Sequence, residues 1–197
     1  MSEALDLLDW RRRIFALYAE VREAADPERA WQRWVDVRAE LYRDHPQSPS
    51  AGYDALAYYP YDPELRFAAE VRAAEPERRA IGSSGDEPVI FTRFAVVRFG
   101  GHELELFRLE AYGGGLFLPF QDATSGSETY GACRYLLDTV KGADLGAVDG
   151  RLVLDFNFAY QPSCSYDPKW VCPLSPPANR LAEAVRAGER LSSPALM

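Results

Sequence analysis

Apolar residues near the start of the chain recur at three- and four-residue steps. Leu7, Trp10, Ile14, Leu17 and Val21 form one stripe, flanked by Leu5, Leu8, Phe15 and Tyr18. That period predicts an amphipathic helix. Asp26-Pro27-Glu28 then reads as a second helix start. Asp caps free amides, Pro suits the first helical position and Glu favours the positive end of the dipole. Trp31, Trp34, Val35, Arg38, Leu41 and Tyr42 line one face of this helix, and His45-Pro46 stops it. Residues 1–46 are therefore expected to form a helical hairpin whose apolar face packs on the rest of the chain.

The pattern then changes to a period of two. Gln47–Gly52 reads as loop, and the Tyr- and Pro-rich Tyr53–Pro63 as an extended segment along a sheet edge. Leu65, Phe67, Ala69 and Val71 alternate with Arg66, Ala68, Glu70 and Arg72. Pro88–Phe99 is rich in β-formers, Gly100-Gly101 signals a tight hairpin, and Glu103–Tyr112 answers it. Gly113–Gly115 predicts a turn and Leu116–Phe120 another strand. Thr129–Leu137 fits either a strand or a short helix. Arg151–Tyr160 alternates strongly enough to predict one continuous strand, and Asn179–Glu189 reads as a final short helix.

The expected fold class is α+β: a curved or barrel-like antiparallel sheet with an N-terminal helical hairpin and a short C-terminal helix. Residues 47–191 would be the β domain and 192–197 a mobile tail.

Composition narrows the function classes. The content of 47% hydrophobic and 13% aromatic residues supplies a sizeable core. No apolar run approaches the ~20 residues of a membrane span, and the N-terminus lacks the pattern of a secretory signal. A net charge of −8 with only two lysines, Lys141 and Lys169, argues against a nucleic-acid partner. Three cysteines, Cys133, Cys164 and Cys172, do not describe a disulfide scaffold. The expectation is a cytoplasmic protein with neither membrane nor nucleic acid as partner.

Candidate chemistry concentrates between Pro119 and Leu136, PFQDATSGSETYGACRYL. Polar and aromatic residues mix there as in the wall of a polar pocket. Asp122 and Glu128 are the candidate catalytic carboxylates, because two acids in one pocket can divide acid and base roles. Thr124, Ser125 and Tyr130 are candidate ligand contacts, and Arg134 a candidate clamp for a carboxylate or phosphate. Asp155 and Asn157 alternate onto one face of the predicted strand and, with Tyr160, would orient the ligand. A competing reading has an Asx-type turn at Asp122 and a Glu128–Arg134 ion pair that only holds the loop. Cys164 and Cys172, seven residues apart, do not make a zinc knuckle, so no metal is expected and no cofactor is named. Phosphate-loop, dinucleotide, nucleophile-elbow and HExxH signatures are absent.

Four segments together resemble a known prokaryotic family, domain of unknown function 1684. They are WVDVRAELYRDHPQSP (Trp34–Pro49), PFQDATSGSETYGACRYL, LDFNFAYQPSCSYDPKWVCPLSPPANRL and the closing Ala187-Gly188-Glu189. The resemblance implies no activity. It matches Cys164 and Cys172, whereas the family commonly carries glycine where Cys133 stands.

Two function classes follow. One is a protein that binds, and as an enzyme would transform, a small polar or anionic molecule held between the PFQDATSGSETYGACRYL and LDFNFAY segments. The alternative is a non-catalytic structural or interaction protein acting as a homodimer through its Trp- and Tyr-rich surfaces.

Overall fold

The computed structural model describes residues 2–50, 56–110 and 114–192. Helices α1 (Glu3–Glu23) and α2 (Pro27–Asp44) form the expected hairpin. The Asp26 carboxylate accepts from the amides of Glu28 and Arg29 at 3.1 and 3.2 Å, satisfying donors that a helix start leaves free. His45, held extended before Pro46, ends α2.

The strands follow as β1 (Ala57–Tyr58), β2 (Arg66–Ile81), β3 (Val89–Phe99), β4 (His102–Leu109), β5 (Gly115–Phe120), β6 (Arg134–Asp138), β7 (Ala147–Val148), β8 (Arg151–Asp155) and β9 (Glu189–Arg190). Seven build one antiparallel sheet in the order β6-β5-β4-β3-β2-β8-β7, while β1 pairs with β9. Register shifts fall at Ala73/Glu77, Arg93/Ala95 and Leu118/Pro119. Bulges bend strands and add twist, and two of these absorb Pro76 and Pro119, which cannot donate to a ladder. The curl brings the sheet's ends together. Tyr160, just past β8, exchanges two backbone hydrogen bonds with Tyr135 of β6, at 2.8 and 3.2 Å. The result is an α+β fold with a curled half-barrel sheet.

Both sheet faces are covered. Ile14, Leu17, Tyr18, Trp34 and Leu41 of the hairpin pack on Phe91, Phe107, Phe117, Tyr135 and Phe158. Side chains of opposite parity, among them Val97, Leu104, Leu106, Leu118 and Phe120, pack with Phe156 and with Leu181, Val185 and Ala187 from the C-terminal segment.

That C-terminal segment corrects one expectation, because it is not helical. After a 3₁₀ turn at Pro177–Asn179 it runs as an irregular strap to β9. Its amides bond across to the sheet instead of to their own chain: Leu181 to the Gln121 carbonyl at 2.9 Å, Val185 to the Asp122 carboxylate at 2.6 Å and Glu189 to the Ala159 carbonyl at 2.8 Å. Asn179 caps no helix. Its side chain accepts from the Glu105 amide and donates to the Glu105 and Pro119 carbonyls at 2.7–2.9 Å.

A second correction concerns Arg151–Tyr160. The strand stops at Asp155, and Phe156–Phe158 form a 3₁₀ turn capped by that carboxylate. Thr129–Leu137 resolves into turns followed by strand β6. Of the Tyr53–Pro63 segment, residues 53–55 lie outside the described residues, as do Gly113 of the glycine turn and tail residues 193–197. Among the described residues no helix is long and apolar enough to cross a membrane.

Candidate functional site

Of the candidate residues between Asp122 and Arg134, Asp122, Thr124, Ser125 and Arg134 join in one buried network. At the end of β5 the Asp122 carboxylate accepts from Thr124 Oγ1 at 2.8 and 3.0 Å, from Ser125 Oγ at 3.3 Å and from the Val185 amide. Thr124 Oγ1 and Thr129 Oγ1 lie 2.9 Å apart. Arg134 Nη2 stands 3.4 Å from Asp122 Oδ2. The same guanidinium donates to the carbonyls of Val185, Ala187 and Glu189 and lies 4.9 Å from the Phe120 ring centroid. Asp122, Thr124 and Arg134 are each 1% exposed. Burial pulls the Arg134 guanidinium below its ordinary value against the support of Asp122. The Asp122 and Thr124 contacts hold the loop to itself, while Arg134 and the Asp122–Val185 bond fix the C-terminal strap.

Glu128 is separate from that network. It takes three hydrogen bonds from Arg186 at 2.7–3.2 Å and one from Tyr59 Oη at 2.9 Å. Arg186 first, then Tyr59, hold its carboxyl below the usual range. The Glu128–Arg134 pairing is thus replaced by Glu128–Arg186 and Asp122–Arg134. Tyr130 reaches a different partner, Cys164 Sγ, at 3.8 Å.

Asp155 and Asn157 sit elsewhere again. Asp155 Oδ1 accepts from the Asn157 amide at 3.0 Å and from its side chain at 2.8 Å, and Oδ2 faces Arg66 Nε at 3.5 Å. Asn157 then pairs with the Asp62 backbone, donating and accepting at 2.8 Å. The 3₁₀ turn breaks the alternation that would have aligned these two side chains. Asp155 lines a different hollow, between the α1–α2 corner and β7–β8, with Arg66, Val148 and Phe158.

Tyr160, of the sequence candidates, lines a large cavity. About 450 Å³ lies between the hairpin, the chain after β8 and the 170–172 segment, a volume typical of small-molecule sites. Trp10, Tyr18, Trp34, Tyr42, Tyr160 and Trp170 form its aromatic wall. Arg38 enters from α2, buried and flanked by rings: its guanidinium carbon lies 4.7 Å from the Trp34 centroid, 4.9 Å from Tyr42 and 5.3 Å from Tyr160. Nε donates to Tyr58 Oη at 3.0 Å, and Nη2 to Glu189 Oε2 at 2.8 Å. Burial works against this charge, but Tyr42, Tyr58 and Glu189 outweigh it and raise the guanidinium's pKa.

Among the described residues three polar groups of the lining residues lack a hydrogen bond of normal geometry. Tyr160 Oη and Gln161 Oε1 are buried without a hydrogen bond of normal geometry, although Tyr160 acts on the neighbouring Asp138 carboxyl. Among the described residues Arg38 Nη1 makes no hydrogen bond either. Of the three, Tyr160 Oη and Gln161 Oε1 have no accessible surface, which leaves Arg38 Nη1 as the group free to meet a ligand. The lining carries three cations, Arg11, Arg38 and Lys141, against one carboxylate, Glu3.

Sequence reasoning did not select Arg38 or Glu189 for the site. The signal for Arg38 is an arginine inside the apolar stripe of α2. The signal for Glu189 is the acid in the closing Ala-Gly-Glu. Among the described residues no three His, Cys, Asp or Glu side chains gather to hold a metal ion.

A helical hairpin laid over a curled antiparallel half-barrel, with an aromatic cavity between the layers, defines the class. The model of the family described as protein of unknown function, DUF1684, matches residues 51–190, and the chain belongs to that family. Among solved structures, the solution NMR structure of an uncharacterised protein from Haloarcula marismortui is similar. It is 34% identical with a TM-score of 0.57, over 81% of this chain and 91% of that one. Among curated proteins none matches.

Proposed function

We propose that this protein binds a small amphipathic anion, a carboxylate on an aromatic or aliphatic body, in the cavity between the hairpin and the sheet. One observation carries the reading: a buried arginine, sandwiched by aromatic rings and with Nη1 unused, on the wall of a cavity large enough for a metabolite-sized molecule. The rings take an apolar body, and a guanidinium matches a carboxylate in shape and charge. The excess of cations on the lining favours an anion even though the whole chain is acidic. The sequence expectation of a polar or anionic ligand is kept, with its place moved away from the DATSGSE loop.

Trp10, Trp34 and Trp170 report on occupancy. Titration with aromatic and medium-chain carboxylates should change tryptophan emission saturably and raise the melting temperature. The matching alcohols should act more weakly. Ala143→Phe, which fills the cavity from its wall, should abolish the response. No response across the carboxylates, or an equal response in Ala143→Phe, would rule the site out.

A second reading, a homodimer, is supported by Leu5 and Leu8, which stand 51% and 43% exposed on α1. Light scattering tests it: Leu5→Lys with Leu8→Lys should lower the mass of the wild-type species, and a wild-type monomer at high concentration rejects it.

A further inference from the structure

The aromatic cavity carries its cations at two depths. Arg38 is buried in the wall, whereas Arg11 is half-buried and Lys141 exposed. The outer two meet because the turn after β6, residues 139–142, is docked on α1. The Arg11 guanidinium donates through Nη2 to the carbonyl of Val140, the residue before Lys141. On the other side of Lys141, Gly142 packs so close to Phe15 that a Cβ there would stand 2.9 Å from its ring. Arg11 in turn lies 5.5 Å from the Phe15 centroid. Helix and turn thus hold two positive charges on one rim. Among the described residues neither Arg11 nor Lys141 forms an ion pair. Asp138, before the turn, is buried, and its Oδ1 accepts from the Lys141 amide at 3.2 Å. Glu3, the one acid of the lining, stands about two turns before Arg11 on α1. Like charges held together repel, and an anion set against both relieves that repulsion. The placement is specific, since Lys141 is one of only two lysines in a chain of net charge −8.

We propose that the ligand of this cavity is a dianion, an apolar body with a carboxylate at each end, the inner one on Arg38 and the outer one on Arg11 and Lys141. This rests on the reading of the cavity as a carboxylate site and adds the second acidic group. Arg38 Nη1 is free for the inner carboxylate, and the aromatic wall covers the body. At the rim Lys141 brings an ammonium with three donors and no acceptor of its own. Arg11 is anchored by one bond through Nη2, and its other donors have no acceptor among the described residues. A ligand with a single carboxylate on Arg38 would leave both rim cations unmet.

The test is calorimetric titration of the full chain with adipate, suberate and sebacate, each beside its monomethyl ester, which keeps the body and one carboxylate. At the best-fitting length the dicarboxylate should bind about fivefold tighter than its monoester. Added salt should shrink that gap, because the rim is open to solvent; this arm needs no variant. Lys141→Gln should narrow the gap, and Lys141→Arg should restore it. Arg12→Gln removes the same charge from α1 at a position outside the lining and should keep the gap, which separates a contact from the general field. A monoester that binds as tightly as its dicarboxylate would overturn the dianion while leaving the carboxylate site standing. So would a gap that survives Lys141→Gln, or one narrowed equally by Arg12→Gln. Binding by no member of the series would overturn it too, and the titration with aromatic and medium-chain carboxylates then decides the cavity itself.

Discussion

Arg38 and Glu189 meet at 2.8 Å across 151 residues of chain, with both side chains buried. This contact ties α2 to β9 and closes the protein. Glu189 also accepts from Tyr166 Oη and from the Gln161 amide at 3.2 Å. Removing one charge of such a pair leaves the other buried without its partner, which costs about 3–5 kcal/mol. Arg38→Met and Glu189→Gln should each lower urea-unfolding stability by about that much. Arg38→Met with Glu189→Met should lose clearly less than the sum, because no buried charge is left. Strict additivity would show that the contact carries no coupling.

The two acids that stand out in the Pro119–Leu136 segment should differ sharply. Asp122 is buried against Arg134 and also receives the Val185 amide. Asp122→Ala should therefore destabilise by about 3 kcal/mol or more. Glu128 faces Arg186, whose side chain is 62% exposed, so solvent screens the pair. Glu128→Gln should change stability by less than about 1 kcal/mol. Chemical denaturation of both variants checks the order. A reversal would mean that Asp122 is held in the core for a reason other than the strap.

Much of the fold was legible because local rules and burial agree. The stripe from Leu7 to Val21, the Asp26-Pro27-Glu28 start and Gly100-Gly101 each specify an element from a few neighbouring residues. The site was less legible. Polar residues between Asp122 and Arg134 look the same in sequence whether they surround a ligand or a strap. Only the strap's amides and carbonyls, more than 50 residues away, decide it. The Asn179–Glu189 segment misled for the same reason: its amides at 181, 185 and 189 are claimed by the sheet. The half-barrel's closure between Tyr135 and Tyr160 is likewise a long-range pairing that no periodicity encodes.

Gly188 explains part of the closing Ala-Gly-Glu. Its φ is +74°, and a Cβ there would stand 2.5 Å from the Ala159 carbonyl oxygen and 2.6 Å from that of Phe156. Both are backbone atoms of a packed turn. Gly188→Ala should cost at least about 2 kcal/mol, the strain of a left-handed residue plus the clash. Gly101 has a similar φ of +84° with nothing within 4 Å. Gly101→Ala should thus show the backbone effect alone, about 1 kcal/mol. Thermal unfolding of the two variants separates strain from close packing. Equal losses would remove the packing half of the explanation.

Asp155 allows a prediction with pH. Burial raises its carboxyl above the ordinary aspartate value of 3.8, against opposing hydrogen bonds from Asn157. In the unfolded chain the group ionises near its ordinary value. Between that value and the raised folded one, the folded state holds more proton than the unfolded state. Stability from this group is therefore fully present below 3.8 and is lost as pH rises through the folded pKa. At neutral pH the buried carboxylate is a liability, since among the described residues Oδ2 makes no hydrogen bond of normal geometry, and Arg66 at 3.5 Å and Tyr61 do not offset its burial. Asp155→Asn keeps an oxygen to accept from the Asn157 amide and carries no charge. Its stability relative to the parent should be highest at neutral pH, should decline as pH falls through the raised folded pKa towards 3.8, and should level off below that value. Denaturant unfolding across that range measures the difference directly. A difference that grows on acidification would mean that Asp155 is stabilised, rather than penalised, as a carboxylate.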